Sequence, residues 1–237
     1  MSADTIPFLL QIVMSTTYSA ESLMEAGVHY GYSRTRRHPT TSKFIYGNKN
    51  GVDIINLDAT MPQIESAAKF LGEMGAAGKV VLFVGVKPEA RGAITETAQA
   101  LKQPYVTERW IGGMLTNFGE IKRRILKLEE MKEQRVSGEY EKYTKKEQLL
   151  LTREMERLNK YFSGTIGMHK LPDAVVIIDS KKEHLAVAEA RKMHIPVVAI
   201  CNTDCSVARI EYPIMANDGS KSSISLILDI LKNAFQK

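Results

Sequence analysis

Three short runs, VVLFV at 80–84, AVVII at 174–178 and PVVAI at 196–200, constrain this chain more than any other feature. Each is apolar and rich in β-branched residues, with no polar residue alternating, so each predicts a strand buried on both faces. Such strands belong to parallel sheets joined by helices, and helical periodicity at 88–101 and 182–193 supplies two crossovers. Pro88 sits where a first helical turn tolerates it. Further strands are expected at 54–57 and 105–107, and a closing helix at 222–235 with Ile224, Leu228 and Leu231 on one stripe. The expectation is an α/β fold: a doubly wound, mainly parallel sheet of about five strands, flavodoxin-like in kind.

From 120 to 162 the pattern changes. Ile121, Ile125 and Leu128, then Leu151, Met155, Leu158 and Phe162, recur at spacings of four and three, which are coiled-coil intervals. Gly138 marks a turn, and Thr144 with Glu147 forms a capping box that opens the second helix. The pattern predicts an inserted antiparallel coiled-coil helical hairpin. It divides the chain into an N-terminal extension (1–17), a first α/β part (18–110), the hairpin (111–163) and a second α/β part (164–237). Because the apolar seam lies between the hairpin's own helices, the hairpin is expected to be separable from the body.

A length of 237 residues suits one full α/β domain plus such an element. No apolar run approaches the roughly 20 residues that span a bilayer. The run at 6–14 follows Asp4 with no Lys or Arg before it, the wrong charge for a secretory leader, so a cytoplasmic protein is expected. Cys201 and Cys205 are spaced neither like a zinc knuckle nor like a C-x-x-C redox pair, and Cys201, which ends an apolar run, is expected to be a small buried hydrophobe. The net charge of +5 is moderate but clustered. Between 31 and 50 the chain carries Arg34, Arg36, Arg37, Lys43 and Lys49 with His38, no Asp or Glu, and interleaved Tyr32, Phe44 and Tyr46. Solvated charge runs ordinarily mix acids with bases and hold few aromatics. The segment therefore reads as an RNA contact that displaces counterions from phosphates.

Gly85 after a strand suggests a phosphate cradle, but VGVKPEAR at 84–91 carries neither the dinucleotide nor the P-loop fingerprint, and Pro88 lacks an amide donor. Asp179, Glu183 and His184 follow a strand where doubly wound folds hold ligands, yet helix capping and surface exposure account for them. His29, with Asn202 or Asp204 at a neighbouring strand end, is the candidate for a structural metal ion, and no other cofactor is expected. A non-catalytic scaffold is favoured over a small-molecule enzyme.

The segment YVTERWIGGMLTNFGEIK at 105–122 joins a strand end to a helix through a basic, aromatic, glycine-paired turn. Gly112 and Gly113 permit backbone conformations that side chains forbid, Arg109 lies beside Trp110, and Asn117 with Glu120 reads as a capped helix start. Trp110 is expected to anchor the turn and Arg109 to reach phosphate. MEAGVHYGY at 24–32, YGNKNGVDIINL at 46–57 and the stretch 171–203 complete four blocks in register. In this order they resemble the bacterial family of small-subunit ribosomal protein two, over nearly the whole chain from about residue 18. Tyr32 stands where that family usually has histidine, and residues 1–13 match nothing in its pattern.

The resemblance implies a structural, non-enzymatic constituent of the small ribosomal subunit that supports translation and late subunit assembly. It implies a cytoplasmic, ribosome-bound protein, monomeric within the ribosome and without a membrane partner. Its partners would be small-subunit ribosomal RNA and neighbouring proteins, including ribosomal protein one, for which it would provide a docking surface. The expected RNA-binding residues are Arg34, Arg36, Arg37, Lys43, Lys49, Arg109, Lys122 and Arg123.

Overall fold

The computed structural model describes residues 18–236, so the N-terminal extension and the run at 6–14 lie outside the described residues. A short helix, α1 (Ala20–Glu25), opens with a reciprocal Ser19–Ser22 capping box. Strands β1 (Tyr30–Ser33), β2 (Ile45–Lys49) and β3 (Val52–Ile55) then form a small antiparallel sheet ordered β1-β3-β2. The basic segment links β1 to β2 through two 3-10 turns, Arg34–Arg36 and Pro39–Phe44.

Helix α2 (Leu57–Ala76) leads into the main sheet, built from β4 (Val81–Val84), β5 (Tyr105–Val106), β6 (Ala174–Ile178), β7 (Val197–Cys201) and β8 (Tyr212–Met215). Its order is β5-β4-β6-β7-β8 and every neighbouring pair is parallel. The connecting helices are α3 (Pro88–Ala100), α4 (Phe118–Val136), α5 (Lys145–Phe162) and α6 (His184–Lys192), and α7 (Lys221–Phe235) follows β8.

Pleating sorts each apolar run between two cores. Val81 and Phe83 of β4, with Ala174, Val176 and Ile178 of β6, pack beneath α2, α3 and α7, against Ile64, Ile94 and Leu228. Leu82 and Val84, with Val175 and Ile177, face the other way, toward α6 and the hairpin. Helices on both sides thus account for the strands expected to be buried on both faces at 80–84, 174–178 and 196–200, and these strands form the centre of the sheet.

Two placements differ from the sequence reading. The strand expected at 54–57 ends at Ile55 and belongs to the small sheet, while the fifth strand of the main sheet is β8. Residues 57–76 form a 20-residue helix whose pattern is hidden by Pro62, Gly72 and Gly75, all poor helix formers. Tertiary packing decides it: a Cβ on Gly75 would lie 1.9 Å from the Phe235 carbonyl oxygen, so glycine is what lets α7 lie this close to α2.

The hairpin forms as two helices joined by a turn at Gly138, with the Thr144–Glu147 capping box in place. Asn117, by contrast, occupies the N-cap of α4 without any side-chain capping bond. The hairpin seam is not self-contained. Ile121, Ile125 and Phe162 belong to the same apolar cluster as Leu82, Val84 and Trp110. Higher up, Lys127 and Glu154 meet at 2.7 Å across the two helices. Replacing 129–153 with a short Gly-Ser linker should therefore preserve a cooperative melt. Replacing 118–162 should yield a molten product, since it strips the cover from one sheet face. Circular dichroism melts of both deletions check this, and a cooperative melt in the larger one would show the body to be self-sufficient.

Candidate nucleic-acid interface and its anchors

Beyond the carboxyl ends of the parallel strands, β5 lies on one side of β4 and β6 on the other. This is the switch point at which doubly wound sheets hold ligands. Here the chain fills it with Lys87, whose Nζ lies 2.6 Å from Asp179 Oδ2, 2.8 Å from Asp218 Oδ2 and 3.2 Å from Tyr32 Oη. Every ammonium proton has a partner. Asp179, at φ 67°, accepts the amides of Lys181 and Lys182 on its other oxygen, and Asn202 Nδ2 donates to Asp218 Oδ1 at 3.1 Å. Burial would lower the Lys87 pKa, but Asp218 and Asp179 outweigh it and raise it, which fixes the cation. Burial holds Asp218 above the ordinary carboxylate range despite Lys87. Asp179 caps the turn and His184 is exposed with Nδ1 on the Lys181 carbonyl, but Glu183 is buried rather than at the surface as expected, and burial raises its pKa.

The residues expected to hold a metal ion have other neighbours in the fold. Asn202 is committed to Asp218, Asp204 pairs with Lys181 at 3.0 Å, and His29 lies against the Tyr30 ring at 4.1 Å between centroids. Among the described residues, Asp179, Cys205 and Asp218 bring ligand atoms within 4.8 Å of one another. Lys87 already pairs with both carboxylates there, so the cluster fits a dication only if that ammonium leaves. Both cysteines are free and buried, Cys201 as expected. A hydrogen bond with Cys205 and burial push the Cys201 thiol well up, which leaves it protonated.

A half-buried acid organises the turn at 110–116. The carboxylate of Glu189, on α6, accepts from Trp110 Nε1 at 3.0 Å, from the amides of Gly113, Leu115 and Thr116 at 2.8 to 3.1 Å, and from the Thr116 hydroxyl at 3.0 Å. Burial alone would raise its pKa, but these donors outweigh it and hold the carboxyl below its ordinary value. Trp110 is 5% exposed, the anchor rather than a stacking group. Of the glycine pair only Gly113 adopts positive φ, at 91°. Arg109 is exposed beside the turn, Lys122 is half-exposed on α4, and Arg123 pairs with Glu120 at 3.1 Å. Sequence reading had no route to Glu189, which lies 73 to 79 positions away from its donors.

The basic segment is stapled over the same strand ends by Thr203, at the end of β7. Its carbonyl accepts from the His38 amide and the Thr41 hydroxyl, both at 2.8 Å, and its hydroxyl accepts from the Tyr32 amide at 3.0 Å. Gly31 makes this approach possible, because a Cβ there would lie 2.6 Å from Thr203 Cγ2. Arg37 turns inward and grips the wholly buried Asp53 through Nε at 2.7 Å and Nη2 at 2.5 Å. That hydrogen bonding, assisted by Asn48, holds the Asp53 carboxyl below its ordinary value against burial. Arg34, Arg36, Lys43 and Lys49 are exposed. The structure thus groups four of the five cations of this segment on the surface and commits the fifth to the fold. No helix among the described residues is long and apolar enough to cross a membrane.

The sequence pattern of the family described as ribosomal protein S2 matches residues 23–237. The small ribosomal subunit protein uS2 of Thermus thermophilus is 42% identical over 215 residues, 91% of this chain and 84% of that protein. That of Coprothermobacter proteolyticus is 44% identical over 214 residues, covering 90% and 80% respectively. That of Rhodococcus opacus is 42% identical over 214 residues, covering 90% and 74%.

The Lys87 cluster and Glu189 make different demands on stability. Lys87→Met should cost about 3–5 kcal/mol, because it leaves two carboxylates unpaired. Adding Asp218→Asn should recover part of that loss, and chemical denaturation of the single and double variants measures both. Glu189→Gln should destabilise the protein at neutral pH. Since the folded pKa of Glu189 is depressed, its contribution is present above the unfolded value of about 4.3 and is lost as pH falls through the folded value. The gap between wild type and variant should therefore close below about pH 4; a gap that persists in acid would mean that the Glu189 charge is not what holds the turn.

Proposed function

The chain belongs to the ribosomal protein S2 family, and on that premise we propose that it is a non-catalytic constituent of the small ribosomal subunit, bound to small-subunit ribosomal RNA. The observation that carries the RNA reading is the acid-free segment at 31–50, which exposes Arg34, Arg36, Lys43 and Lys49 while its backbone is fixed by Thr203 and by the Arg37–Asp53 pair. Cations on a preformed loop lose less freedom on meeting phosphates than cations on a mobile one. Arg109, at the turn before the hairpin, and Lys122 and Arg123, on its first helix, are the further cations assigned to RNA. There a groove of about 550 Å³ is lined by Arg123, Arg124, Lys127 and Arg157 against Glu120 and Glu154.

In this reading residues 111–163 are a coiled-coil insert that braces RNA. The protein works as a monomer in cytoplasmic ribosomes, without cofactor, and neighbours ribosomal protein one, for which it offers a docking surface. The filled switch point supports the absence of catalysis, since Lys87 occupies the place a ligand would take.

The test separates contact from fold. Arg34→Ala with Arg36→Ala should weaken association with small-subunit particles and lower the salt slope of log K by about 0.9 at most for each phosphate no longer neutralised. The melting temperature should not change. Arg37→Ala should instead destabilise the protein, because it strands buried Asp53. Particle association equal to wild type for the Arg34/Arg36 variant, across several salt concentrations, would reduce the segment to a solvated face.

A further inference from the structure

We infer that the groove at the amino ends of the parallel strands is a second RNA site, which takes an unstacked nucleotide together with its flanking phosphates. The protein would then be held on RNA at both ends of its sheet. The inference rests on the RNA reading above and adds a site opposite the basic segment, which sits over the carboxyl ends.

The groove, of about 740 Å³, runs between the α3–β5 connection and residues 163–170 that follow the hairpin. No Asp or Glu lines it. Lys102 and Lys170 stand exposed there beside His169, while half-buried Tyr105 and exposed Ile166 offer an aromatic and apolar surface over buried Met168. Gln103 fixes the wall by accepting the Val81 amide at 2.9 Å, and Gln99 reaches the Tyr105 hydroxyl at 3.4 Å. The neighbouring acid, Asp173, is neutralised in place. It accepts the Val80 amide at 3.0 Å and Lys79 at 3.1 Å, with Lys170 Nζ at 3.5 Å. Gly164 brings the wall together, since a Cβ there would meet the Tyr105 ring at 2.7 Å.

An apolar floor with a ring, amides and a rim of lysines, of which Lys170 also reaches Asp173 at 3.5 Å, suits a base and its phosphates: the ring and apolar groups take the base face and the lysines the backbone. A duplex keeps its bases stacked and cannot use the floor. An acidic peptide would satisfy the lysines but leave ring and floor unused.

The full chain should be titrated with a short unstructured oligouridine, a short RNA duplex of equal phosphate number and a poly-glutamate peptide. The variants are Lys102→Gln/Lys170→Gln, Ile166→Glu and Arg34→Ala/Arg36→Ala. Both groove variants should keep the wild-type melting temperature, weaken oligouridine binding by about fivefold or more, and leave duplex binding within about twofold. The lysine variant should also lower the single-strand salt slope by about 0.7 for each phosphate no longer neutralised. The arginine variant should weaken both RNAs. If only the arginine variant loses RNA, the groove is overturned and the RNA reading stands. If no variant loses RNA, both fall. Groove variants that lose the peptide but not the oligouridine overturn the proposal in favour of an acidic protein partner.

Discussion

The ammonium of Lys87 is the contact on which the rest of the molecule depends. It ties the turn after β4 to the turns after β6 and β8, and through Tyr32 to the small sheet. Removing three charged groups from water is costly, and the arrangement persists because every proton and most lone pairs are matched. The place where a doubly wound sheet would bind a nucleotide is thereby turned into an internal lock, with an amine of the chain's own in the position of a ligand. A scaffold gains rigidity at the point where an enzyme would need an opening.

Glu189 plays the corresponding part on the other core. One carboxylate gathers an indole N–H, three amides and a hydroxyl, so a turn with little regular structure acquires a single conformation. The hairpin leaves from that turn, and its lower seam shares the apolar cluster of the sheet face. Its direction is therefore set by the body, while its upper half is held by its own pairs, such as Lys127 with Glu154. Stability should grade along the hairpin in the same sense, highest at Ile121 and Phe162 and lowest near Gly138.

Charge is divided in the same way between fold and surface. Arg37 is withdrawn to hold Asp53, and the loop presents Arg34, Arg36, Lys43 and Lys49 from a backbone fixed by Thr203. Rigid loops carrying cations recognise the shape of a phosphate backbone better than they recognise sequence. The apolar strands contribute no specificity; they supply the stiffness against which these loops are set.

The sequence by itself determined the class of fold and the character of its surfaces. Runs such as 174–178 admit one environment, burial on both faces, and the Thr144–Glu147 box and the 121/125/128 spacing are local signals readable without any partner. The burial of Trp110 and of Cys201 was legible for the same reason, since size and polarity bound where such side chains can sit. What only the tertiary structure decided depends on contacts distant in sequence. Helix α2 forms through packing on α7 despite Pro62, Gly72 and Gly75, and β8 is a strand because β7 lies beside it. Arg37 looked like its neighbours until buried Asp53 claimed it, and neither Lys87 nor Glu189 bears any local mark of its role. Periodicity reports how a segment meets the core, but a buried charge is defined by partners brought from elsewhere, and only the folded chain assembles them.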